Sequence, residues 1–290
     1  MTRLPITKTP KCYVGGKFIR SESGRVFPLN DAKGQFVAHV PQCTRKDLRN
    51  AVEAAASAMP GWAGRTAYNR GQILYRMAEM LESRSAELAA ALTLGGATQA
   101  AAAKEVATTI DRIVHYAGWC DKYEQLLGNV NPVASPHFNF TVTEPMGVIA
   151  LVAPDEAPLL ALVTLLLPAI TSGNVVIALA SETQPYPAIV LGEMLAVSDL
   201  PGGVVNLLTG FRNEIVPTMA THAHLRAVGG VASAADRETL RHGAADSVKR
   251  VHVLAAEDKT DWLAGNGPTA SLYAIRDWVE FKTTWHPVGA

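Results

Sequence analysis

Three cysteines supply the strongest nucleophiles in this sequence, and catalysis by a thiol would need one of them in an activating setting. Cys12, Cys43 and Cys120 are widely spaced along 290 residues. Cys120 follows Trp119 on a predicted helix but lies outside any catalytic motif, so a packed or half-exposed thiol is the preferred interpretation. The few cysteines and a start, MTRLPITKTPK, without an apolar signal core predict a reduced, cytoplasmic protein.

Paired ionisable residues offer two further candidates for chemistry. His222 and His224 alternate near a turn without a third metal ligand, so we interpret them as ordinary surface histidines and predict no metal. Asp155 and Glu156 are neighbours whose side chains point apart unless the backbone turns sharply, so helix capping is their expected use. The sequence has no phosphate loop of the Gly-Lys-Ser type and no Gly-x-Ser-x-Gly elbow, which argues against a nucleotidase or a hydrolase.

The net charge and the length of the chain limit which other classes of function and partner are expected. The 26 basic residues balance 26 acidic residues, and this zero formal charge leaves no electrostatic footprint for nucleic acid or an anionic membrane. We therefore expect neither nucleic acid nor a membrane as a partner. A chain of 290 residues can bury a substantial core and predicts one to two domains.

The stretch 147–182 alternates two short apolar runs with one long run. Val148–Val152 is short and rich in β-branched residues and predicts a strand, whereas residues 157–170 are too many for a buried strand and predict a helix that is apolar all round. Roughly 14 residues are too few for a membrane span of about 20, so this helix is expected in the interior. Residues 175–177 begin a second apolar strand, and the stretch predicts a βαβ unit.

Periodicity and turn signals predict the flanking elements. Residues 12–20, 25–29 and 35–40 predict an antiparallel meander, and residues 130–143 a projecting strand. Three helices are expected before residue 130: one capped by Thr44 and ended by Pro60-Gly61, one over residues 68–94 with Arg70, Glu79, Arg84 and Glu87 facing water, and one over residues 98–125. Strands (204–208, 225–228, 248–254) then alternate with helices (187–196, 213–220, 233–244), which predicts a doubly wound sheet.

The order of these segments resembles the cofactor domain of aldehyde dehydrogenases. The resemblance rests on a strand ended by Pro, an apolar helix, a Gly-Asn turn and a second strand followed by Ser181-Glu182, and then on LPGGVVN (200–206) and TGF (209–211). It implies an α/β fold, with a Rossmann-like doubly wound sheet of aldehyde dehydrogenase type and an antiparallel oligomerisation flap.

The resemblance implies four parts of the chain. Residues 1–129 would form the N-terminal meander and helical layer of the cofactor-type domain, and residues 146–258 the Rossmann-like domain. Residues 130–145 and 275–290 would form the flap, because VEFKTTWH near the end of the chain resembles the final flap strand of the family. Residues 259–274 would be a linker standing where the family has its catalytic domain.

The residues by which the family oxidises aldehydes have no counterparts here. The thiolate nucleophile belongs to the part that the linker replaces. Asp155 and Glu156 hold the position of the amide that stabilises the oxyanion, where a carboxylate would repel a developing negative charge. Leu254 stands where the family has the Glu that activates water, and leucine cannot accept a proton. No catalytic residue is predicted, and we expect no aldehyde oxidation by this chain.

The resemblance implies that cofactor binding is eroded as well. Leu179 stands where the family has a Lys that holds adenosine, and Arg212 replaces a glycine that makes space for nucleotide. Glu182 keeps the acidic position, although a solvated charge at the strand end is its preferred interpretation. Gly229 and Gly230 would keep backbone donors at a helix start. These three residues are the predicted vestigial cofactor site. We expect no bound cofactor. If the chain does bind one, the resemblance implies NAD or NADP.

Two functions from different classes remain open. The first is a non-catalytic structural or regulatory partner of a full-length aldehyde dehydrogenase, resembling the truncated second unit of tandem aldehyde dehydrogenases. The second is a residual oxidoreductase that still binds NAD(P). In the first case the flap would contact the partner's sheet through apolar side chains of both flap strands: Phe138, Phe140, Val279, Phe281 and Trp285. A homodimer through the helix at 233–244 is the alternative assembly.

Overall fold

The computed structural model describes residues 8–265 and 270–289. The strands are Cys12–Val14 (β1), Lys17–Ile19 (β2), Val26–Asn30 (β3), Phe36–Pro41 (β4), Asn129–Asn131 (β5), His137–Pro145 (β6), Val148–Val152 (β7), Val175–Leu179 (β8), Val205–Leu208 (β9), Ala227–Ala232 (β10), Arg250–Ala255 (β11) and Val279–Pro287 (β12). The helices are Arg45–Ala63 (α1), Ala67–Ser83 (α2), Ser85–Leu94 (α3), Gln99–Trp119 (α4), Tyr123–Leu127 (α5), Leu160–Thr171 (α6), Tyr186–Leu195 (α7), Arg212–Thr221 (α8), Ala234–Ala245 (α9) and Leu272–Arg276 (α10).

The central sheet has the order β11-β10-β7-β8-β9-β1-β2 within the described residues. Strands β11, β10, β7, β8 and β9 are parallel, and β1 joins the edge antiparallel to β9 through the pair Tyr13 and Leu207. The predicted α/β fold with a doubly wound sheet is confirmed. The prediction that residues 12–40 form one antiparallel meander was wrong. Strands β1 and β2 extend the central sheet, whereas β3 and β4 form a separate hairpin.

Strand β7, helix α6 and strand β8 form the predicted βαβ unit, and α6 is buried almost all round. The helix begins at Leu160 rather than at residue 157, because Ala157 has a φ of 46° and cannot continue a right-handed turn. Glu105 of α4 accepts the backbone N–H groups of Leu159 and Leu160 at 3.0 and 3.2 Å. This carboxylate supplies the cap that the sequence had suggested for Asp155 and Glu156.

The helical layer departs from the sequence expectations at two places. Helix α1 continues through Pro60 to Ala63, and Trp62 beyond it is fully buried with its indole N–H donated to the carbonyl of Ile170. That packing offsets a cost of about 3 kcal/mol for proline within a helix. The expected helix 68–94 is divided between α2 and α3 at Arg84, whose backbone is not helical.

Arg70 was expected to face water, and this was wrong. Its side chain is buried, and it donates to the carbonyl oxygens of Thr171 at 3.2 Å and Arg65 at 2.7 Å. Thr171 is the last residue of α6, where the helix leaves carbonyl oxygens without intrahelical partners. Arg70 therefore ties α2 to the end of the buried helix.

Strands β12, β6 and β5 form a small antiparallel sheet, to which we refer as the flap. Opposed residues of an antiparallel pair share a face, and the register places Phe138, Phe140 and Val142 opposite His286, Thr284 and Lys282. Val279, Phe281 and Trp285 oppose Pro145, Thr143 and Asn139 and lie on the other face. The apolar side chains of the two strands thus point to opposite faces and do not form one patch.

No helix among residues 8–265 and 270–289 combines the length and apolar character needed to cross a bilayer.

Candidate functional site

The sheet order defines where a ligand would bind. The chain runs outward from β7 through β8 to β9 and then returns to the other side of β7 with β10 and β11, so the topological switch lies between β7 and β10. Ligands of such sheets bind outside the carboxyl ends of the strands at this switch. A cavity of about 230 Å³ lies there, lined by the ends of β7 and β10 and by Arg212, Ser233 and Trp262. We refer to it as the crevice.

Asp155 follows β7 at the crevice and organises its neighbours. One carboxylate oxygen accepts the Ser181 hydroxyl at 2.7 Å and the backbone N–H groups of Glu182 and Thr183 at 2.9 and 3.2 Å. The other accepts Nη1 of Arg212 at 2.8 Å. Burial opposes ionisation of Asp155, but the hydrogen bonds from Arg212 and Ser181 outweigh it and hold its pKa at about 2. The carboxylate is therefore committed to structure and not to proton transfer near neutral pH.

Arg212 extends its side chain across the carboxyl end of β7. Besides its ion pair with Asp155, Nη2 donates to the carbonyl oxygen of Ala153 at 2.9 Å. The backbone N–H of Arg212 donates to Glu182 at 2.8 Å. Glu182 is half-buried and tied to the start of α8, so it is not the solvated charge expected from the sequence. Loops after β7, β8 and β9 are thereby joined over the place where a nucleotide would lie.

Gly229 and Gly230 were expected at a helix start, and this was wrong. Both lie within strand β10, paired with β7 and β11, whereas α9 begins at Ala234 and is capped by the Ser233 hydroxyl. A Cβ at Gly230 would lie 2.0 Å from the carbonyl oxygen of Val152. Gly230 allows β10 to lie close to β7, and Gly229 makes room for the indole of Trp278, so the position of these glycines gives no support to their predicted role toward a cofactor. Leu179, at the end of β8, is fully buried.

Trp262 closes the crevice from the segment that follows β11. Its side chain is buried with Leu160, Ala161 and Val231, at the start of α6 and the end of β10. Arg112 of α4 holds this segment by donating to the carbonyl oxygens of Trp262 at 3.2 Å and Ala264 at 2.8 Å. Trp262 therefore anchors this segment against α6 and β10, while Asp261 and Leu263 beside it are exposed. Residues 266–269 of the predicted linker lie outside the described residues.

A larger cavity of about 1180 Å³ lies on the other side of Trp262. Strand β11, helix α6 and the segment before α10 line it. It lies beside the switch point rather than at it, so topology favours the smaller crevice as the place where a cofactor of this fold would bind. Leu254 lines the larger cavity and is partly exposed, and its aliphatic side chain offers no proton acceptor there.

The remaining chemical candidates lie away from the crevice. Cys120 is only 1% exposed, and burial raises the pKa of its thiol to about 12. A thiol with that pKa has almost no thiolate at neutral pH. The rings of His222 and His224 lie 6.0 Å apart, and among the described residues no group of three His, Cys, Asp or Glu could hold a metal ion.

Sequence reasoning missed two residues that shape this region, Trp262 and Arg112, and the main contact of a third, Arg212. Arg212 was identified as bulk in place of a glycine, but its ion pair with Asp155 was not foreseen. Trp262 and Arg112 were missed because they act between segments 150 residues apart, for which the chain gives no local signal.

Comparisons with known proteins agree with this architecture. The family model described as the aldehyde dehydrogenase family matches residues 18–256. Retinal dehydrogenase 2 of Mus musculus is 33% identical over 221 residues, covering 74% of this chain and 42% of the mouse protein. The Gallus gallus protein of the same name is 32% identical over 251 residues, covering 84% and 48%. An aldehyde dehydrogenase from Bacillus cereus, solved as an NAD+ complex, aligns with a TM-score of 0.80 and 25% identity over 86% of this chain and 51% of that one. The chain thus spans about half the length of the relatives that it matches.

Proposed function

Because this chain belongs to the aldehyde dehydrogenase family, we propose that it is a non-catalytic member that serves as a structural or regulatory partner of a full-length aldehyde dehydrogenase. The observation that carries the proposal is the position of Arg212, whose guanidinium spans the crevice from Asp155 to the carbonyl of Ala153. Relatives such as the Bacillus cereus enzyme were solved with NAD+. In this chain the crevice at the switch point is bridged by its own side chains.

The residues at the crevice do not fit a dinucleotide. Its volume of about 230 Å³ is below the roughly 300 Å³ at which pockets for drug-sized ligands begin. Glu182 already accepts a backbone N–H, and Leu179 has an aliphatic side chain that is fully buried in the sheet, so it offers a nucleotide no hydrogen bond. Opening the crevice would leave the Asp155 carboxylate without its guanidinium partner, which costs free energy.

The thiols of the described chain do not fit nucleophilic catalysis either. Cys120 is buried with a raised pKa, and its Sγ lies 3.6 Å from the carbonyl oxygen of Tyr116. A thiol that forms a covalent intermediate with an aldehyde must be accessible to that substrate, and all three thiols are buried. Cys12 and Cys43 are also buried, beside Thr209 at the end of β9.

The flap supports the partner role. Strand β12 pairs with β6 on one side, and the flap carries exposed apolar side chains on both faces, with Phe138 46% and Trp285 57% exposed. Exposed strand edges with apolar faces favour association with another sheet. The Phe138, Phe140 and Val142 face is continuous with Val130 of β5, which opposes Phe140. We assign this face to the full-length partner.

Titration of the purified chain with NAD+ and with NADP+ tests the proposal. A ligand at 100 times its dissociation constant would stabilise the native state by about 2.7 kcal/mol, which is easily seen as a higher melting temperature. We expect no shift at millimolar cofactor and no turnover with a panel of aldehydes. A micromolar dissociation constant, or turnover that disappears in Cys120→Ser, would refute the non-catalytic assignment and favour a residual NAD(P)-dependent oxidoreductase.

A further inference from the structure

Cys12 and Cys43 bring two thiols into direct contact, although 31 positions separate them in the chain. Their sulfur atoms lie 3.4 Å apart, and the side chains are 1% and 0% exposed. Cys12 lies in β1, and Cys43 precedes Thr44, the N-cap residue of α1. Two separate elements therefore hold the pair together, and the proposed function uses neither thiol.

The backbone around the pair is fixed. The N–H of Cys43 donates to the carbonyl oxygen of Thr209 at 2.9 Å. A Cβ added to the next residue, Gly210, would meet the Cys43 backbone at 3.2 Å, so this glycine allows the two segments to lie close together. The Cys43 backbone is thus anchored to the end of β9, and movement of the sulfur atoms must come from side-chain rotation.

The hydrogen bonds determine which of the two thiols donates to the other. The Thr209 hydroxyl donates to the carbonyl oxygen of Pro41 at 2.6 Å, so its oxygen is left to accept from Cys12 at 3.3 Å. Cys43 then donates to the sulfur of Cys12. Donation from Cys43 lowers the pKa of Cys12 against the effect of burial, and the same contact together with burial raises the pKa of Cys43. Cys12 is the thiol that ionises first.

We propose that Cys12 and Cys43 form a reversible intramolecular disulfide whose oxidant is a peroxide. A disulfide bond of about 2.05 Å requires the sulfur atoms to approach by roughly 1.4 Å, which small changes in the side-chain torsions can supply. The product joins β1 to the segment that leads into α1, beside the loop that carries Arg212 into the crevice.

The chemistry balances with one peroxide per pair. The Cys12 thiolate attacks a peroxide oxygen, the O–O bond breaks, and a sulfenic acid forms on Cys12 with release of one water. The Cys43 sulfur attacks the sulfenic sulfur, the S–S bond forms, and the second water leaves. The two thiols lose two electrons and two protons, which the peroxide takes up. A dithiol reductant reverses the reaction.

Peptide mapping of the full chain tests the proposal. Hydrogen peroxide is added to the folded protein, free thiols are alkylated in denaturant, and the digest is analysed by mass spectrometry with and without dithiothreitol. We expect a linked Cys12–Cys43 peptide, alkylation of Cys120 alone, and restoration of three alkylated cysteines by dithiothreitol. The cross-link closes a loop of about 30 residues, so the oxidised chain should melt about 5–10 °C higher than the reduced chain.

Cys120→Ser is the matched control, because Cys120 is equally buried but has no cysteine beside it. This variant should form the same linked peptide and show the same rise in melting temperature. Three alkylated cysteines after peroxide treatment, a linkage that involves Cys120, or irreversible oxidation of one sulfur would overturn the proposal. A Cys12–Cys43 linkage that forms in urea but not in native buffer would overturn it as well.

Discussion

A guanidinium and a carboxylate that share a partly buried position stabilise each other only while both are present. Arg212 and Asp155 form such a pair, with side chains 19% and 35% exposed. Removal of either partner leaves a charge that has lost its hydrogen bonds together with part of its solvent. Arg212 therefore joins the loops after β7, β8 and β9, and under our proposal the same side chain keeps a dinucleotide out of the crevice.

Arg212→Gly tests both roles of this side chain in one variant. We expect the free energy of unfolding to fall by about 1–2 kcal/mol, because Asp155 loses its charged partner. We also expect millimolar NAD+ to raise the melting temperature of the variant, since the crevice is no longer bridged. The measurements are urea unfolding and thermal melting with and without NAD+.

Arg25→Gly is the control for this prediction, because Arg25 also pairs with a carboxylate, Glu214, but lies on the surface outside the crevice. It should change stability by less than about 1 kcal/mol and confer no response to NAD+. An Arg212→Gly chain that is as stable as the unchanged chain and still ignores NAD+ would contradict the role given to Arg212. Leu179→Lys is not a useful addition, because Leu179 is fully buried and a lysine there would bury its ammonium.

Asp155 makes the stability of the chain depend on pH. Its folded-state pKa of about 2 is below the ordinary value of 3.8, so its contribution is fully present above pH 4 and is lost as the pH falls toward 2. Since the side chain is about one-third exposed, we expect solvent screening to reduce this contribution to about 1 kcal/mol.

Urea unfolding at pH 5 and pH 2.5 measures the effect. The unchanged chain should lose about 0.7 kcal/mol more than Asp155→Asn over this interval, because roughly two-thirds of the contribution is lost by pH 2.5 and the variant has no carboxylate to protonate at this position. The difference between the two chains isolates Asp155 from the other carboxylates. Equal losses in both chains would show that the Arg212 pair does not contribute to stability.

At the scale of elements, the segment after β11 fastens the helical layer to the sheet. Trp262 packs on α6 and β10, and Arg112 of α4 donates to the carbonyl oxygens of Trp262 and Ala264. Trp262 and Arg112 thus anchor a segment that the sequence had predicted to be a linker.

Trp262→Ala should lower the free energy of unfolding by about 3 kcal/mol, because it removes an indole that is 5% exposed. Limited proteolysis should then cleave within residues 259–265 before the rest of the chain. Trp285→Ala is the matched control, since that indole is 57% exposed, and it should cost less than about 0.5 kcal/mol. A Trp262→Ala chain with unchanged stability and unchanged proteolysis would show that the segment is not packed as described.

The sequence predicted elements whose signals are local and missed those decided by distant contacts. The βαβ unit at 147–182 follows from its apolar runs, and those runs are buried in the structure as expected. Pro60 predicted the end of the first helix, but α1 continues to Ala63 because Trp62 is buried in the core. Gly229 and Gly230 predicted a turn before a helix, but pairing with β7 on one side and β11 on the other places them in strand β10. No nearby residue gives the position of the partner strands.

On the scale of the whole molecule, the fold was predictable because the alternation of strands and helices fixes a doubly wound sheet, and the family match agrees with it. The arrangement of the flap was less predictable from the sequence. Sequence alternation placed Phe138, Phe140 and Val142 on one side, and only the register with β12 showed that Phe281 and Trp285 lie on the other. The two faces can therefore be tested separately.

Association with a full-length aldehyde dehydrogenase is the central claim, and native mass spectrometry of the two chains co-expressed from the same host tests it most directly. We expect a mixed assembly that Phe138→Lys together with Phe140→Lys reduces at least about tenfold, because lysines desolvated in an apolar contact cost more than 1.4 kcal/mol. Phe36→Lys, at a side chain 58% exposed outside the flap, should leave the assembly intact. A chain that is found only alone or with itself, or a mixed assembly unaffected by the two flap substitutions, would contradict the account.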